Sequence, residues 1–242
     1  MHLANEAPNT RFAGVDVYIG PSSPFDLRVP DFVRVLPPAA DGDLSKRASF
    51  DAITVLVDGL FFQTPAVTHA EVLSLLAGGS TVIGAGSMGA LRAVELHHCG
   101  MIGVGSIYHH YLRGRLDDDA DLAEAVCPDT YEAVTIPLVR VRRALALASA
   151  QGVERESLDE ALVAANDIHF MERTLERLTK RWVSALVSHE SELLVGILRD
   201  PQSDIKASDA RDAIELAVNF FVTGRLDIET RPVADLYISE GG

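Results

Sequence analysis

A serine lies in a glycine-rich turn between a β-branched run and an Ala- and Leu-rich run, in the stretch TVIGAGSMGALRAVEL. Gly84, Gly86 and Gly89 have the G-x-G-x-x-G spacing with which a helix N-terminus binds dinucleotide phosphates. The same letters place Ser87 one glycine short of the G-x-S-x-G elbow, where N–H groups at a helix N-terminus stabilise an oxyanion. Serine is also a frequent N-cap residue. Three interpretations of the turn are therefore open: a phosphate site, a nucleophile or a helix cap.

The nucleotide interpretation lacks the features that accompany the fingerprint in dinucleotide-binding proteins. There the fingerprint opens the first βαβ unit, and an acidic residue follows about 20 positions later. Here the turn follows the fourth apolar run, and the expected position falls in GVGSIYHH at residues 103–110, which contains no acidic residue. The glycine spacing therefore supports an NAD(P)-binding oxidoreductase only as a lesser alternative.

Four short Val- and Ile-rich runs predict buried strands up to this turn. They cover residues 15–20, 33–36, 52–59 and 80–85. Thr64 as N-cap and Pro65 as first helical residue predict a helix before the fourth strand, and it ends at Gly78-Gly79. Strands that alternate with helices predict an α/β fold, a small parallel sheet flanked by helices in the Rossmann-like manner.

The chain after the turn is predicted to be mostly helical. A helix over 88–98 ends at Gly100, and a short possible strand and a further helix follow. From about residue 136 only helical patterns remain, including one long stretch around 157–187. We therefore divide the chain into an α/β core at residues 1–145 and an α-helical C-terminal region at residues 146–242.

The predicted strands end in residues that are common in turns: Gly20-Pro21, Pro37-Pro38, Asp58-Gly59 and the Ser87 turn. Ligands of open parallel sheets bind at this carboxyl edge. A shared site near Gly20, Asp58 and Ser87 explains these residues, and the ordinary chemistry of turns explains them equally well.

The helix predicted from Pro65 places His69 on its apolar stripe and Ala70 at the border of that stripe. His69 is therefore expected to face the sheet, either as a hydrogen-bonded core residue or as a catalytic group.

The composition excludes several classes of protein. The chain has 242 residues and a formal net charge of −14, which disfavours nucleic acid as a partner because phosphates repel such a surface. It has no apolar run of about 20 residues and no signal-peptide pattern at the start of the sequence, so we expect a cytoplasmic protein without a membrane partner. Cys99 and Cys127 are expected to be reduced thiols. The acidic residues at 117–121 are expected to complement a helix dipole rather than to bind a metal.

Five blocks in this order resemble the core of the TfuA-like family, over roughly residues 15 to 125. They are Gly20-Pro21, VLPPAADGDL (35–44), DGLFFQTPAVTHAEVL (58–73), GAGSMGALRAVEL (84–96) and GMIGVGSIYHHYLRGRLDDDA (100–120). The serine belongs to the family motif, whereas the glycine at position 86 is not required there.

The resemblance implies an accessory protein to a YcaO-type enzyme in ribosomal peptide maturation. It implies a hydrolase-like Ser–Lys pair that releases sulfide from a thiocarboxylated ThiS-like carrier for backbone thioamidation of a precursor peptide, with no cofactor and no metal. Ser87 would be the nucleophile, and Asp58, His69 and Arg92 would support it. The residues that would contact the carrier or a partner are Gly20, Pro21, Gly59, Glu71, Met88 and Gly89.

The chain departs from the family at one position. Where the family has Trp-His-Lys-Glu, this sequence has Thr68-His69-Ala70-Glu71, so the lysine is missing. Arg92 cannot replace it as a base because its pKa exceeds about 12, which leaves His69, Lys46 or no base. Two functions of different classes remain open: a thioester-class hydrolase, and a non-catalytic adaptor that docks the YcaO enzyme, the carrier and the precursor peptide.

Overall fold

The computed structural model describes residues 13–46, 52–59, 65–228 and 232–239. The chain divides into two compact units. Unit 1 comprises Met1–Leu112 and Lys206–Pro232, and unit 2 comprises Arg113–Ile205 and Val233–Gly242. These bounds differ from the predicted division at residue 145. That division stays a prediction of where the TfuA-like α/β core ends.

Unit 1 contains a five-stranded parallel sheet in the order β2-β1-β3-β4-β5. The strands are β1 (Gly14–Tyr18), β2 (Val33–Leu36), β3 (Ala52–Leu56), β4 (Val82–Gly84) and β5 (Ile102–Gly103). Helices α1 (His69–Ala77), α2 (Met88–Leu96) and α3 (Gly105–Leu112) follow β3, β4 and β5. The predicted α/β fold is confirmed, and the strand order places β3, which precedes Asp58, beside β4, which precedes Ser87.

The last helix, α8 (Ile205–Thr223), packs on the sheet of unit 1. Its small residues Ala210, Ala213 and Ala217 lie in one apolar cluster with the buried side chains of β1, β3 and β4. Phe221 near its C-terminal end stacks on Phe32, with the ring centroids 4.4 Å apart. The sequence predicts this helix at 207–223 within the C-terminal region, and its return to the sheet was not foreseen.

Helix α1 begins four residues later than predicted. Thr68 caps it, because the Thr68 hydroxyl accepts a hydrogen bond from the Glu71 N–H while the Glu71 carboxylate accepts one from the Thr68 N–H. Pro65 precedes the helix, and the cap predicted at Thr64 lies outside the described residues. Helix α1 is therefore shorter at its N-terminal end than the sequence predicts.

The described residues of unit 2 form four α-helices, α4 (Leu138–Ser149), α5 (Arg155–Asn166), α6 (Leu175–Ala185) and α7 (Ser188–Arg199). Trp182 lies fully buried among them and donates its indole N–H to the Ala161 carbonyl at 3.0 Å. The stretch predicted as one helix around 157–187 is two helices separated by a short 3-10 turn.

Within the described residues, none of the helices is both long and apolar enough to cross a membrane.

Candidate active site at the strand ends

The turn between β4 and α2 holds Ser87 at the N-cap position of α2, where only 4% of the residue is exposed. Its side chain makes no capping hydrogen bond, so helix capping does not explain the hydroxyl. Gly86 has φ +68°, a left-handed conformation that favours glycine. A Cβ at Gly86 would also lie 3.0 Å from Cγ1 of Val57 and 3.1 Å from the Lys206 carbonyl oxygen.

The other two glycines allow α2 to approach the sheet closely. A Cβ at Gly84 would lie 2.1 Å from the Gly89 carbonyl oxygen, and a Cβ at Gly89 would lie 1.8 Å from the Leu56 carbonyl oxygen. The Gly89 N–H donates to the Val57 carbonyl at 3.0 Å, so it is not directed at a ligand. Packing and backbone conformation thus explain all three glycines without a bound nucleotide.

Met88, the residue after the serine, has a backbone N–H that donates to no other described residue. In hydrolases with a nucleophile elbow, the N–H at this position forms half of the oxyanion hole. The Met88 side chain is fully buried. A Cβ at Gly59 would lie 2.1 Å from its Cε, so Gly59 must be small for Met88 to pack there. Met88 therefore offers a backbone donor, and its side chain serves packing.

Asp58 ties the end of β3 to the end of β1. One carboxylate oxygen accepts hydrogen bonds from the N–H groups of Gly20 at 2.8 Å and Ser22 at 2.9 Å. The other accepts one from the Ser22 hydroxyl at 2.6 Å. Asp58 is 1% exposed, so its charge is used to hold the loop that begins at Gly20-Pro21. The predicted convergence of strand ends is present in unit 1, and there Asp58 has a positioning role.

His69 does not face the sheet, contrary to the prediction. Its side chain is 51% exposed, and Nε2 lies 2.8 Å from Oε2 of Glu95 on α2. Glu95 also accepts a hydrogen bond from Arg92 at 2.5 Å, and Arg92 Nε donates to the Val67 carbonyl. Since Glu95 is eight residues after Ser87, this group lies roughly 12 Å along α2 from the serine. His69 and Arg92 therefore bind Glu95 on the surface.

The predicted orientation was wrong because the buried face of α1 does not follow the apolar stripe of the sequence: Leu73 is exposed, whereas the polar Glu71 is buried. The buried residues of α1 are Glu71, Val72 and Leu75, while Ala70 is exposed. A lysine side chain at position 70 would accordingly extend from an exposed position in the first turn of α1.

Glu71 joins α1 to the loop before β3. Its Oε1 accepts hydrogen bonds from the Ser45 N–H at 3.3 Å and the Ser45 hydroxyl at 3.4 Å, in addition to the capping box with Thr68. Burial acts to raise the pKa of this carboxyl, but backbone hydrogen bonds at Thr68, Gly42 and Ser45 together hold the pKa below its ordinary value. Glu71 is therefore an ionised, largely buried anchor.

The two lysines of unit 1 among the described residues differ in burial. Lys46 is exposed and pairs with Asp43 at 3.4 Å. Lys206 is only 2% exposed and lies in the first turn of α8, with its carbonyl oxygen beside the position of a Gly86 Cβ. The division predicted from the sequence places Lys206 in the C-terminal region. The available signal was the spacing of Ala210, Ala213 and Ala217, which favours close packing of that helix on another element.

The described residues contain no group of three or more His, Cys, Asp or Glu side chains placed to hold a metal ion. Both cysteines are free thiols: Cys99 is exposed and Cys127 is half-buried. Among the described residues, the strand edge brings together the Ser87 hydroxyl, backbone N–H groups, the buried Lys206 and the carboxylates of Asp58 and Asp209.

The model of the TfuA-like protein family matches residues 58–174. This part of the chain is similar to the TfuA-like family. The match includes Asp58, the Thr68–Glu71 segment and the Ser87 turn, and it confirms the resemblance seen in the sequence. It continues into unit 2 as far as Thr174, whereas the blocks at Gly20-Pro21 and 35–44 lie before it. None of the curated proteins compared with the chain matches it. TfuA-like proteins are associated with YcaO-type systems in peptide modification.

Proposed function

We propose that this protein is an accessory to a YcaO-type peptide-modifying enzyme, and that it releases sulfide from a thiocarboxylated ThiS-like carrier for backbone thioamidation of a precursor peptide. The TfuA-like match supports the association with YcaO. The observation that carries the chemistry is Ser87, a buried serine at a helix N-terminus whose hydroxyl is not used as a cap. The proposed enzyme class is a thioester-type hydrolase.

In the proposed reaction the Ser87 Oγ attacks the thiocarboxylate carbon of the carrier tail. The carbonyl oxygen gains negative charge, and the Met88 N–H donates a hydrogen bond to it. The carbon–sulfur bond then breaks, the serine proton passes to the sulfur, and hydrosulfide leaves while the carrier is held as an ester on Ser87. Water hydrolyses this ester, which returns the Ser87 hydroxyl and gives the carrier carboxylate and one proton. Atoms and charge balance without an external oxidant or reductant.

The geometry of the edge supports a narrow acyl donor. Ser87 is nearly buried, so we expect its acyl donor to be a thin tail of small residues. The loop after β1 is held by Asp58 through Gly20 and Ser22, which keeps the strand ends in fixed positions. Predicted carrier contacts at Gly20, Pro21 and Gly59 lie at this edge, and they remain part of the proposal.

A non-catalytic adaptor is the second candidate function, and Ala70 favours it. The family lysine is absent, and His69, which could have replaced it, is bound to Glu95 on the surface. In this alternative the TfuA-like region docks the YcaO enzyme, the carrier and the precursor peptide without breaking the thiocarboxylate. Tight binding of the partners together with no sulfide release would favour the adaptor.

The test of the hydrolase is sulfide release from the thiocarboxylated carrier, followed with a sulfide probe. Ser87→Ala is expected to lower the rate by at least about 10³-fold, since removal of a nucleophile is costly even where the rest of the site persists. Its free energy of unfolding should change by less than about 0.5 kcal/mol, because the hydroxyl makes no cap. Ser74→Ala, an exposed change on α1, is the matched control. Equal rates for Ser87→Ala and wild type would refute the hydrolase.

Position 70 separates the two candidates. If the missing lysine limits a hydrolase, Ala70→Lys should raise sulfide release by a factor on the order of 10²–10⁴, the usual effect of a positioned base. The gain should disappear in the Ala70→Lys, Ser87→Ala double variant. Ala77→Lys, at the exposed end of the same helix, is the control for added charge. An adaptor predicts no sulfide release from any of these variants.

The NAD(P)-binding alternative is tested by titration with NAD(H) and NADP(H). Because close packing accounts for Gly84 and Gly89, and φ and packing for Gly86, we expect no binding at millimolar concentrations. Saturable binding that disappears in a variant of the Ser87 turn would restore this alternative.

A further inference from the structure

We propose that Lys206 is a functional residue of the Ser87 site, and that its ammonium group holds the anionic end of the carrier tail. This inference rests on the proposed function. Lys206 has an unusual environment, because its side chain is among the largest fully buried ones of the described residues. Taking an ammonium group out of water is costly unless other groups pair with it, and a cation in the first turn of a helix opposes the helix dipole. Helix formation therefore does not favour a lysine there, and its burial depends on the groups that pair with it.

Backbone contacts fix Lys206 beside the Ser87 turn. A Cβ at Gly86 would lie 3.1 Å from the Lys206 carbonyl oxygen and 3.9 Å from the Ala210 nitrogen. From this point α8 runs to Phe221, which stacks on Phe32 just before β2 begins. Helix α8 is therefore antiparallel to the strands, and its N-terminal turn lies at the same carboxyl edge of the sheet as Ser87.

Asp209 fixes the same turn of α8 to a second strand end. Its two carboxylate oxygens accept hydrogen bonds from the N–H groups of Ser106 and Ile107, each at 2.8 Å, at the start of α3. A Cβ at Gly105 would lie 2.3 Å from the Asp209 carboxyl carbon. The first turn of α8 is thus held by the turn after β4 and by the turn after β5, so Lys206 has a defined position at the site.

Bond lengths allow an extended Lys206 side chain to reach Ser87. The contact at Gly86 limits the distance between the Cα atoms of Lys206 and Ser87 to about 11 Å. An extended lysine, a serine side chain and one hydrogen bond together span about 11–12 Å. Lys206 already has a partner in the structure. Because an ammonium group has three N–H donors, a ligand would share it with that partner.

The negative charge of the proposed substrate accounts for a lysine at position 206. A thiocarboxylate is an anion, the protein carries a net charge of −14, and the carboxylates of Asp58 and Asp209 lie at the same strand edge. A cation near Ser87 offsets the repulsion of the incoming tail. It also stabilises the negative charge that develops on the carbonyl oxygen and sulfur during attack. The structure therefore assigns Lys206 to recognition of an acid-ended carrier tail.

The experiment measures the preference for an anionic tail. Calorimetry compares the binding of two forms of the carrier that lack the thiocarboxylate. One form ends in a carboxylate and the other in a carboxamide. Wild type is expected to bind the carboxylate form about tenfold more tightly, and Lys206→Met is expected to lose this preference while Lys206→Arg keeps it. Lys180→Met, at an exposed lysine paired with Glu176 on α6, should behave as wild type. Circular dichroism and the melting temperature establish that each variant is folded.

Three results would overturn the inference: equal affinity of wild type for the two carriers, an undiminished preference in folded Lys206→Met, or loss of the preference in folded Lys206→Arg. If Lys206→Met does not fold, the Arg variant and the wild-type preference decide. These binding measurements need no turnover, so they separate the two proposals. Absence of sulfide release with an intact, Lys206-dependent preference would refute the hydrolase alone, whereas Ser87-dependent release without the preference would refute the role of Lys206 alone.

Discussion

The Ser87 turn and the first turn of α1 both belong to the TfuA-like region, and they are built in opposite ways. The Ser87 turn is buried, and backbone atoms at van der Waals contact define its shape. The first turn of α1 exposes His69 and Ala70 and is held by side-chain hydrogen bonds of Glu71 and Glu95. An added Cβ at Gly84 or Gly89 therefore disturbs the packing of the Ser87 turn, whereas a substitution at the exposed position 70 changes only the available chemistry. Because Ala70 is exposed, a lysine or an alanine at this position is compatible with the same packing of α1.

The largest loss of stability is expected at Gly89, where neighbouring backbone atoms leave no space for a Cβ. Gly89→Ala would place a Cβ 1.8 Å from the Leu56 carbonyl oxygen, and this contact cannot be relieved unless α2 moves away from β3. The loss of stability should exceed the 1–3 kcal/mol that is usual for about one methyl group too many in a core. Urea denaturation followed by circular dichroism measures it.

Gly196→Ala is the control for Gly89→Ala. Gly196 lies in α7 with no atom within 4 Å of an added Cβ, so alanine there should stabilise the protein by up to about 1 kcal/mol. Similar stabilities of the two variants would contradict the view that close backbone contact shapes the Ser87 turn.

The sequence predicts the elements of unit 1 well because each strand is a short β-branched run bounded by turn residues. It also predicts that Asp58 and Ser87 share one edge, since both follow parallel strands. It fails at His69, because the hydrogen bonds of the polar Glu71 to Thr68 and Ser45 decide which face of α1 is buried, and the apolar pattern does not show them. Lys206 was missed for a different reason: the packing of α8 on the sheet is a contact between distant parts of the chain, which local periodicity does not encode.

A smaller effect is expected where side chains hold α1. Glu71→Gln should lower the free energy of unfolding at pH 7 by roughly 1–2 kcal/mol, because an amide cannot accept all the hydrogen bonds from Thr68 and Ser45. The pKa of Glu71 is lowered in the folded protein, so this stabilisation is present above the ordinary glutamate pKa of about 4.3 and is lost as pH falls through the lowered value.

Urea titrations of wild type and Glu71→Gln at several pH values between 7 and 3 test this sign. The difference in stability between the two proteins should shrink as the solution becomes acidic. A difference that grows toward low pH would show that the buried carboxyl is stabilised in its protonated form. Glu156→Gln, an exposed change in the first turn of α5, serves as the control.

The smallest effect is expected at His69. Its bond to Glu95 joins two half-exposed side chains, and such pairs contribute about 0–1 kcal/mol. His69→Ala should lower stability by less than about 1 kcal/mol, and sulfide release should be nearly unchanged because the imidazole lies far along α2 from Ser87. A large fall in the rate with unchanged stability would instead give His69 the supporting catalytic role that the sequence suggested.

The central claim is that Ser87 forms a covalent bond with the carrier acyl group, and intact-mass spectrometry tests it most directly. Wild-type protein and thiocarboxylated carrier are mixed, and the reaction is stopped with acid at short times while sulfide is measured in parallel. The account predicts a species with the mass of the protein plus the carrier acyl group, an ester that hydroxylamine removes, located at Ser87 after digestion and absent from Ser87→Ala. Sulfide release at the same rate from wild type and Ser87→Ala, with no such adduct in either protein, would contradict it.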